Sequence, residues 1–172
     1  MDKNLKSKTY AELLELVVHY GQKSFTAQYL FSFIHQKDVV QLSDITPLSK
    51  TFRQKLIDDG FFLTGINLLE KHNDPDGTVK FVFGLADGAR IETVLLKDGE
   101  RNTLCISTQA GCRMGCKFCA TGQLQFQRNL TAAEIVDQVY HAEKTVGRID
   151  NVVYMGMGEP LDNFDEVMRS VE

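Results

Sequence analysis

The chain has 172 residues and a formal net charge of −4; 43% of its residues are hydrophobic and 24% are charged. This balance excludes a disordered chain, a collagen and a long coiled coil, and no apolar stretch approaches the roughly 18–20 residues that span a bilayer. A secretory signal is not expected, because Glu12, Glu15 and His19 interrupt the N-terminal segment. We therefore expect a cytoplasmic protein with no membrane partner. The net negative charge argues against nucleic-acid binding over the whole surface but not against a local basic face.

The first sixty residues predict three short helices. Thr9 and Glu12 form a capping box that begins the first helix, which Gly21 ends. The third helix begins after Pro47 and ends at Gly60. The apolar stripes are Leu13, Leu16, Val17 and Tyr20; Ala27, Leu30, Phe31 and Ile34; and Leu48, Phe52 and Leu56. Residues 1–60 are expected to form a small helical module.

The apolar period then changes to two, which is typical of strands. The alternating residues are Val79, Phe81 and Phe83, followed by Ile91, Thr93 and Leu95. Tight turns are indicated at Asp74–Gly77, Asp87–Gly88 and Asp98–Gly99. The pattern predicts a β meander from about Phe62 to Ser107, with residues 61–100 as its module.

From residue 101 onward, strands and helices alternate, which indicates an α/β fold with a parallel sheet. A strand at 104–107 leads into a loop rich in glycine and cysteine, and a capping box of Thr131 and Glu134 begins a helix that Gly147 ends. The apolar run 152–155 predicts a strand buried on both faces, and a last helix begins near Phe164. One strand–helix–strand unit cannot bury a parallel sheet, so residues 101–172 are expected to be an incomplete module.

All four cysteines, Cys105, Cys112, Cys116 and Cys119, lie within fifteen positions. In a cytosolic protein such clustering favours metal or redox chemistry over disulfides. Structural zinc usually has two separated ligand pairs, and attached haem needs a histidine where Ala120 stands. Three closely spaced thiolates suit an iron–sulfur cluster with one open iron. Zinc on the four cysteines of a non-catalytic RNA-binding module, and a redox pair of Cys116 and Cys119, remain alternatives.

The segment Cys112–Cys119 resembles the C-x3-C-x-aromatic-C signature of radical S-adenosylmethionine (SAM) enzymes. Four longer segments are similar to the RlmN/Cfr family of RNA adenosine methyltransferases, and the similarity covers essentially the whole chain. These segments are Gln109–Gly122, Gly156–Leu161, Arg90–Val94 and Thr103–Ser107. The resemblance implies a small helical module and a β meander followed by the start of a truncated radical-SAM partial (β/α) barrel.

The same resemblance implies a 4Fe–4S cluster, with SAM bound at its open iron. The implied cluster ligands are Cys112, Cys116 and Cys119. Phe118 would pack near the adenine of SAM, while Gly158 and Glu159 would meet its amino group, as expected for a carboxylate facing an ammonium. By spacing alone, Cys105 would be a buried strand cysteine and Glu92 a solvent-facing residue. The resemblance makes both catalytic, with Cys105 taking the proton from the substrate carbon and releasing the methylated base from a covalent adduct. Glu92 is a competing proton acceptor.

The family methylates carbon 2 of an adenosine in 23S rRNA and in tRNA; carbon 8 of the same rRNA adenosine is the close alternative. One SAM methylates an enzyme cysteine, and a second is cleaved to a 5′-deoxyadenosyl radical that takes hydrogen from this methyl group. The resulting carbon radical adds to the base. The methyl-carrying cysteine belongs to a segment beyond this sequence, so we expect the 172 residues to be an N-terminal part that is inactive alone.

Partners also follow from the resemblance: 23S rRNA, tRNA and an electron donor such as flavodoxin, with the protein itself a monomer. The N-terminal helical module would be an accessory RNA-contacting part. Arg113, Lys117 and Arg128 surround the cysteines and are candidates for contacts with RNA phosphates.

Overall fold

The computed structural model describes residues 3–63 and 65–172, which fall into two compact units. The first unit is helical and comprises residues 3–63. The second comprises residues 65–171 and contains every strand of the two sheets. Within the described residues, no helix is both long and apolar enough to cross a membrane.

The helical unit contains α1 (Tyr10–His19), α2 (Phe25–His35) and α3 (Lys50–Asp58). The capping box predicted at Thr9 and Glu12 is confirmed, since each side chain accepts a hydrogen bond from the other residue's backbone N–H. Ser49 caps α3 by accepting a hydrogen bond from the Phe52 N–H. The core consists of residues from all three helices and the segments around them, namely Leu5, Leu13, Val17, Ala27, Leu30, Ile34, Leu42, Ile45, Leu48, Phe52, Leu56 and Leu63.

The strands of the second unit are, in chain order, β1 (Asn67–Asn73), β2 (Val79–Gly84), β3 (Arg90–Asp98), β4 (Arg101–Cys105), β5 (Gln109–Ala110), β6 (Arg128–Asn129) and β7 (Asn151–Val153). Strands β1 to β4 form the predicted antiparallel meander, and β7 joins β4 in parallel, giving the order β1-β2-β3-β4-β7. The pair β5 and β6 forms a separate antiparallel ribbon. The meander and the parallel strand therefore share one sheet.

The β3–β4 hairpin has a register that decides which side chains share a face. Asp98 pairs with Arg101 across the turn, where Gly99 has a φ of 60°, and Val94 pairs with Cys105 at the other end. Because side chains alternate along a strand, Glu92, Val94 and Cys105 lie on one face of the sheet. Leu104 lies on the opposite face and is fully buried.

The buried face of the sheet packs against helix α4 (Ala132–Val146), and α5 (Phe164–Val171) follows β7. The capping box predicted at Thr131 and Glu134 is confirmed, and Gly147 ends α4 with a φ of 84°. The apolar cluster on this face is made of Ile66, Val79, Phe81, Phe83, Leu85, Ala89, Ile91, Leu95, Leu104, Ile106, Ala110, Leu130, Ile135, Ala142, Met157 and Val167.

The prediction that residues 152–155 form a strand buried on both faces is wrong. Strand β7 covers only Asn151–Val153, and Val152 and Met155 are exposed. The physical reason is position, because β7 is the edge strand of the described sheet, so one of its sides meets no further strand. Apolar composition alone does not distinguish such an edge from a central strand.

Candidate functional site: a cysteine loop beside a glycine loop

Two loops leave the same edge of the sheet. Strand β4 ends at Cys105 and its parallel neighbour β7 ends at Val153, so the segments that follow them lie side by side. We call residues 111–127 the cysteine loop and residues 156–159 the glycine loop. The carboxyl edge of parallel strands is where α/β folds bind their ligands, and this edge carries most of the residues singled out from the sequence.

The two ends of the cysteine loop are held close together. The ribbon of β5 and β6 closes it, and the Gln127 N–H donates to the Ala110 carbonyl at 2.9 Å. A Cβ added to Gly111 would lie 2.3 Å from the Gln125 carbonyl oxygen, so only glycine permits this approach. Beyond the base the loop is open to solvent, with Cys116 exposed and 93% of the Phe118 surface accessible.

Local backbone contacts prepare part of the loop for thiolate chemistry. The Cys119 N–H donates to the Cys116 carbonyl at 3.1 Å, and Gly122 packs so closely on Cys116 that a Cβ would lie 2.8 Å from its carbonyl oxygen. The pKa of the Cys119 thiol is lowered, chiefly by a hydrogen bond from the Gly122 backbone, because amide donors favour the charged sulfur. All four cysteines are free thiols.

Among residues 3–63 and 65–172, no three or more Cys, His, Asp or Glu side chains are grouped closely enough to hold a metal ion. The donor chemistry of the cysteine loop nevertheless fits a thiolate-bound cluster, since three free thiols occupy one accessible loop. Holding a cluster would require the tip of this loop to close around it.

The glycine loop, in contrast, is held by hydrogen bonds on both sides. Its Gly156 N–H donates to the Ile106 carbonyl at 3.0 Å, and its Met157 carbonyl accepts from Thr108 and Gln109 at 2.8 and 3.1 Å. A Cβ on Gly156 would lie 2.7 Å from the Ile106 backbone. Gly158 has a φ of 100°, and its added Cβ would lie 2.6 Å from Gln109. Both positions require glycine.

Glu159 ends the glycine loop and caps the short helical turn that follows. Its carboxylate accepts a hydrogen bond from the Leu161 N–H at 3.1 Å, while its own N–H donates to Gln109 Oε1 at 3.0 Å. Its backbone is therefore fixed by the buried Gln109, whereas its carboxylate accepts a hydrogen bond from within the turn that it caps. An ammonium group is a suitable further partner for such a carboxylate.

Glu92 and Cys105 share the face of the sheet opposite α4, as the register requires. The Glu92 carboxylate is half exposed and forms an ion pair of 3.3 Å with Lys80. Its carbonyl accepts a 2.5 Å hydrogen bond from Ser107, and its N–H faces Met157 Sδ at 3.3 Å. Burial raises the pKa of the Cys105 thiol, partly offset by a hydrogen bond with the Met155 backbone. Burial therefore favours the protonated form of this thiol.

Residues 106–171 match the radical SAM superfamily, and residues 3–59 match the N-terminal domain of ribosomal RNA large subunit methyltransferases. A dual-specificity RNA methyltransferase RlmN from Syntrophobacter fumaroxidans is 48% identical over 170 residues, which cover 97% of this chain and 49% of the relative. The chain belongs to the RlmN/Cfr family.

A second relative and a solved structure agree with this result. A probable dual-specificity RNA methyltransferase RlmN from Staphylococcus haemolyticus is 42% identical, over 96% of this chain and 46% of the relative. The crystal structure of a radical SAM methyltransferase from Sphaerobacter thermophilus aligns with a TM-score of 0.83 and 38% identity, covering 98% of this chain and 50% of that one. The chain spans about half the length of the relatives it matches, and its fold is that of the start of a radical SAM protein.

Two of the basic side chains near the RlmN/Cfr cysteine motif have acidic partners rather than free charges. Arg128 binds both oxygens of Glu134 at 2.8 Å and also pairs with Asp87 at 2.5 Å, which raises its pKa. Arg113 pairs with Asp162 at 2.8 Å. Lys117, the third expected phosphate contact, is exposed in the cysteine loop.

Two polar residues that hold the two loops in place, Gln138 and Gln109, are not among the site residues predicted from the sequence. Gln138 is fully buried on α4, where its Oε1 accepts from Thr93 and the Ser107 N–H and its Nε2 donates to the Ser107 carbonyl. Gln109 likewise is fully buried. The sequence signal for Gln138 is a polar residue on an apolar helix face, whereas Gln109 is the first residue of the family-like segment Gln109–Gly122.

Proposed function

We propose that this chain is the N-terminal part of a radical SAM methyltransferase that methylates carbon 2 of an adenosine in 23S rRNA and in tRNA. The observation that carries the proposal is the placement of the cysteine loop and the glycine loop side by side at one sheet edge. Membership of the RlmN/Cfr family supports the reaction class. The methyl-carrying cysteine would lie outside these residues, so the 172-residue chain alone would bind cofactors without turnover.

In this proposal the thiolates of Cys112, Cys116 and Cys119 hold a 4Fe–4S cluster and leave one iron open. The cluster and SAM supply the one-electron chemistry needed to methylate an electron-poor aromatic carbon. Closure of the exposed loop tip around the cluster would bring Phe118 from solvent toward the adenine of SAM. The residues of this chain thereby orient the cofactors and shield them from water.

On the opposite side of the site, the glycine loop would receive the amino group of SAM. Gly158 lets the backbone approach closely, and the Glu159 carboxylate pairs with the ammonium. The rigidity of this loop supports the role, because pre-formed sites lose less entropy on binding. Glu159 would keep its N–H on Gln109 while its carboxylate turns to the ligand.

Cys105 and Glu92 are the proposed catalytic residues for the substrate base. Both lie on the open face of the sheet beside the glycine loop, which allows an unstacked adenosine to reach them. Cys105 would take the proton from the substrate carbon and release the product from its covalent adduct. Because burial raises its thiol pKa, Cys105 would need a base for this step, and the proposed base is the Glu92 carboxylate, which lies on the same face of the sheet on the neighbouring strand.

The helical unit would contribute an RNA-contacting surface. Phe25 and Tyr29 are both exposed and lie edge to face, with ring centroids 5.9 Å apart, and Lys23 Nζ is 5.9 Å from the Phe25 ring. Exposed aromatic rings beside a cation suit contacts with unstacked bases.

Replacing both Phe25 and Tyr29 with alanine should weaken binding of an rRNA fragment about tenfold in a fluorescence titration. Val40→Ala, another exposed apolar position, should leave binding unchanged.

The proposal includes the domain boundaries 1–60, 61–100 and 101–172, a monomer, a cytoplasmic location and an electron donor such as flavodoxin. The location follows from the substrates, and the donor follows from the need to reduce the cluster. Carbon 8 methylation of the same rRNA adenosine is the alternative product, distinguished by mapping the methylated position after reaction of the complete enzyme.

The deciding experiment is anaerobic reconstitution with iron and sulfide, followed by electron paramagnetic resonance (EPR) of the reduced protein with and without SAM. We expect a cluster signal that shifts when SAM is added. Cys119→Ser should lose the signal, whereas Cys105→Ser, outside the cysteine loop, should keep it. Tight stoichiometric zinc with no iron uptake in a folded sample would overturn the proposal in favour of a zinc-binding RNA module.

A further inference from the structure

Gln109 connects the glycine loop to an acidic side chain beyond it. The residue is fully buried, and its Oε1 accepts from the Glu159 N–H at 3.0 Å. Its Nε2 donates to Asn129 Oδ1 at 2.8 Å and to Asp162 Oδ2 at 2.7 Å. Every polar atom of this amide is therefore used, so its orientation is fixed.

Asp162 carries the connection back to the cysteine loop. The same Oδ2 that accepts from Gln109 lies 2.8 Å from Arg113 Nε, and the Asp162 N–H donates to the Glu159 carbonyl at 3.1 Å. Arg113 directly follows Cys112 in the cysteine loop. One carboxylate oxygen thus joins the two loops through three side chains.

Arg113 is also held from within its own loop. Its guanidinium carbon lies 4.0 Å from the centre of the Phe126 ring, at the opposite arm of the loop. An exposed ion pair normally contributes little, because two mobile side chains must be ordered to form it. Here the Phe126 ring orders the Arg113 guanidinium, and the buried Gln109 amide orders the Asp162 carboxylate. The entropy cost of forming the ion pair is therefore smaller than for two mobile side chains.

We infer that Arg113, Asp162 and Gln109 form a brace that couples the shape of the cysteine loop to the position of Glu159. The inference rests on the proposed function for its consequence, which is that binding of SAM at the glycine loop and closure of the cysteine loop favour each other. Arg113 and Asp162 are then positioning residues for the cofactors. This role replaces the phosphate contact expected for Arg113 from the sequence.

The first test needs no cofactor. In the apo chain, labelling of each cysteine by a thiol reagent is followed by mass spectrometry. Arg113→Ala and Asp162→Asn should each speed labelling of the half-buried Cys112 about fivefold, and the double variant should gain no more, because both remove one interaction. Cys116, already exposed, should not change. Arg148→Ala, which removes an arginine with an exposed ion pair to Asp150, is the matched control and should label like the unmodified chain.

The second test titrates SAM into the reconstituted, reduced chain and follows the EPR shift. Each single variant should raise the apparent Kd for SAM about fivefold without loss of iron, with Arg113→Lys intermediate because lysine keeps the charge but not the planar group. The brace would be overturned if the effects of Arg113→Ala and Asp162→Asn on the apparent Kd for SAM were additive in the double variant. It would also be overturned if neither variant changed the labelling rate of Cys112. A chain that takes up no cluster while showing the coupled labelling would refute the proposed function and leave the brace standing.

Discussion

The two loops of the candidate site are built in opposite ways. The glycine loop is fixed along its length by backbone hydrogen bonds to residues 106–109 and by glycines that tolerate no added atom. The cysteine loop is fixed at its base, while its tip, with Cys116 and Phe118, faces solvent. Under the proposed function, the side that would receive SAM is formed in advance, whereas the side that would hold the cluster would take its final shape when the cluster binds.

The largest expected effect comes from crowding the fixed loop. Gly158→Ala adds a Cβ 2.6 Å from Gln109 at a φ of 100°, so it should lower the free energy of unfolding by about 3 kcal/mol or more. Gly115→Ala in the cysteine loop meets no atom within 4 Å at a φ of 64° and should cost about 1 kcal/mol. Urea denaturation of both variants measures the contrast. Equal losses would mean that the two loops are equally rigid.

A second expected effect concerns the support beneath the glycine loop. Gln138→Leu leaves the Thr93 hydroxyl and the Ser107 backbone without their buried partners, and should destabilise the chain by about 2 kcal/mol. Ser107 in turn donates to Glu92 and accepts from the Met157 N–H, so the glycine loop should loosen as well. Hydrogen exchange at Met157 and Gly158 reports the loosening. Gln123→Leu, at an exposed position, should change neither quantity.

The Cys105 thiol, at the strand end between the loops, should differ from an ordinary thiol in its pH dependence. Because burial raises its pKa, its alkylation near pH 8 should be about tenfold slower than in the urea-unfolded chain. The same shift means that folding favours the protonated thiol. Its contribution to stability is present below the unfolded pKa of about 9 and is lost as the pH rises through the folded value. A folded-state alkylation rate equal to the unfolded rate would contradict the burial of this thiol.

The smallest expected effect on stability lies at the tip of the cysteine loop. Cys116→Ser should change the unfolding free energy of the apo chain by less than about 0.5 kcal/mol, since the side chain is exposed. Iron uptake on reconstitution should nevertheless be lost. Met114→Leu, another exposed change in the loop, should keep both stability and iron uptake. A large loss of apo stability in Cys116→Ser would show that the tip is structured before the cluster binds.

The features that sequence reasoning predicted well are local ones. The capping boxes at Thr9 and Thr131 and the turn at Gly99 depend on neighbouring residues alone, and the structure confirms them. The same holds for the alternating strands of the meander. These features can be predicted from the sequence because the interactions that create them span only a few positions in the chain.

The features that sequence reasoning missed depend on residues far apart in the chain. Val152 is exposed because of where β7 falls in the sheet, which its composition does not encode. Arg113 meets an aspartate 49 positions later, and Arg128 meets Asp87 from the β2–β3 turn. No spacing rule links such pairs. The candidate cluster and SAM residues came from the family resemblance, which supplied what local patterns could not.

The two-residue turn between β3 and β4 has a consequence at the other end of the hairpin. Its length fixes the pairing of Val94 with Cys105, and so puts the side chains of Glu92 and Cys105 on one face. One residue inserted after Gly99 would shift this pairing by a step and turn one of the two side chains toward α4. Glu92 and Cys105 would then lie on opposite faces of the sheet, although the sheet itself would still fold. The relative placement of the two candidate groups thus depends on the number of residues in a turn at the far end of the hairpin.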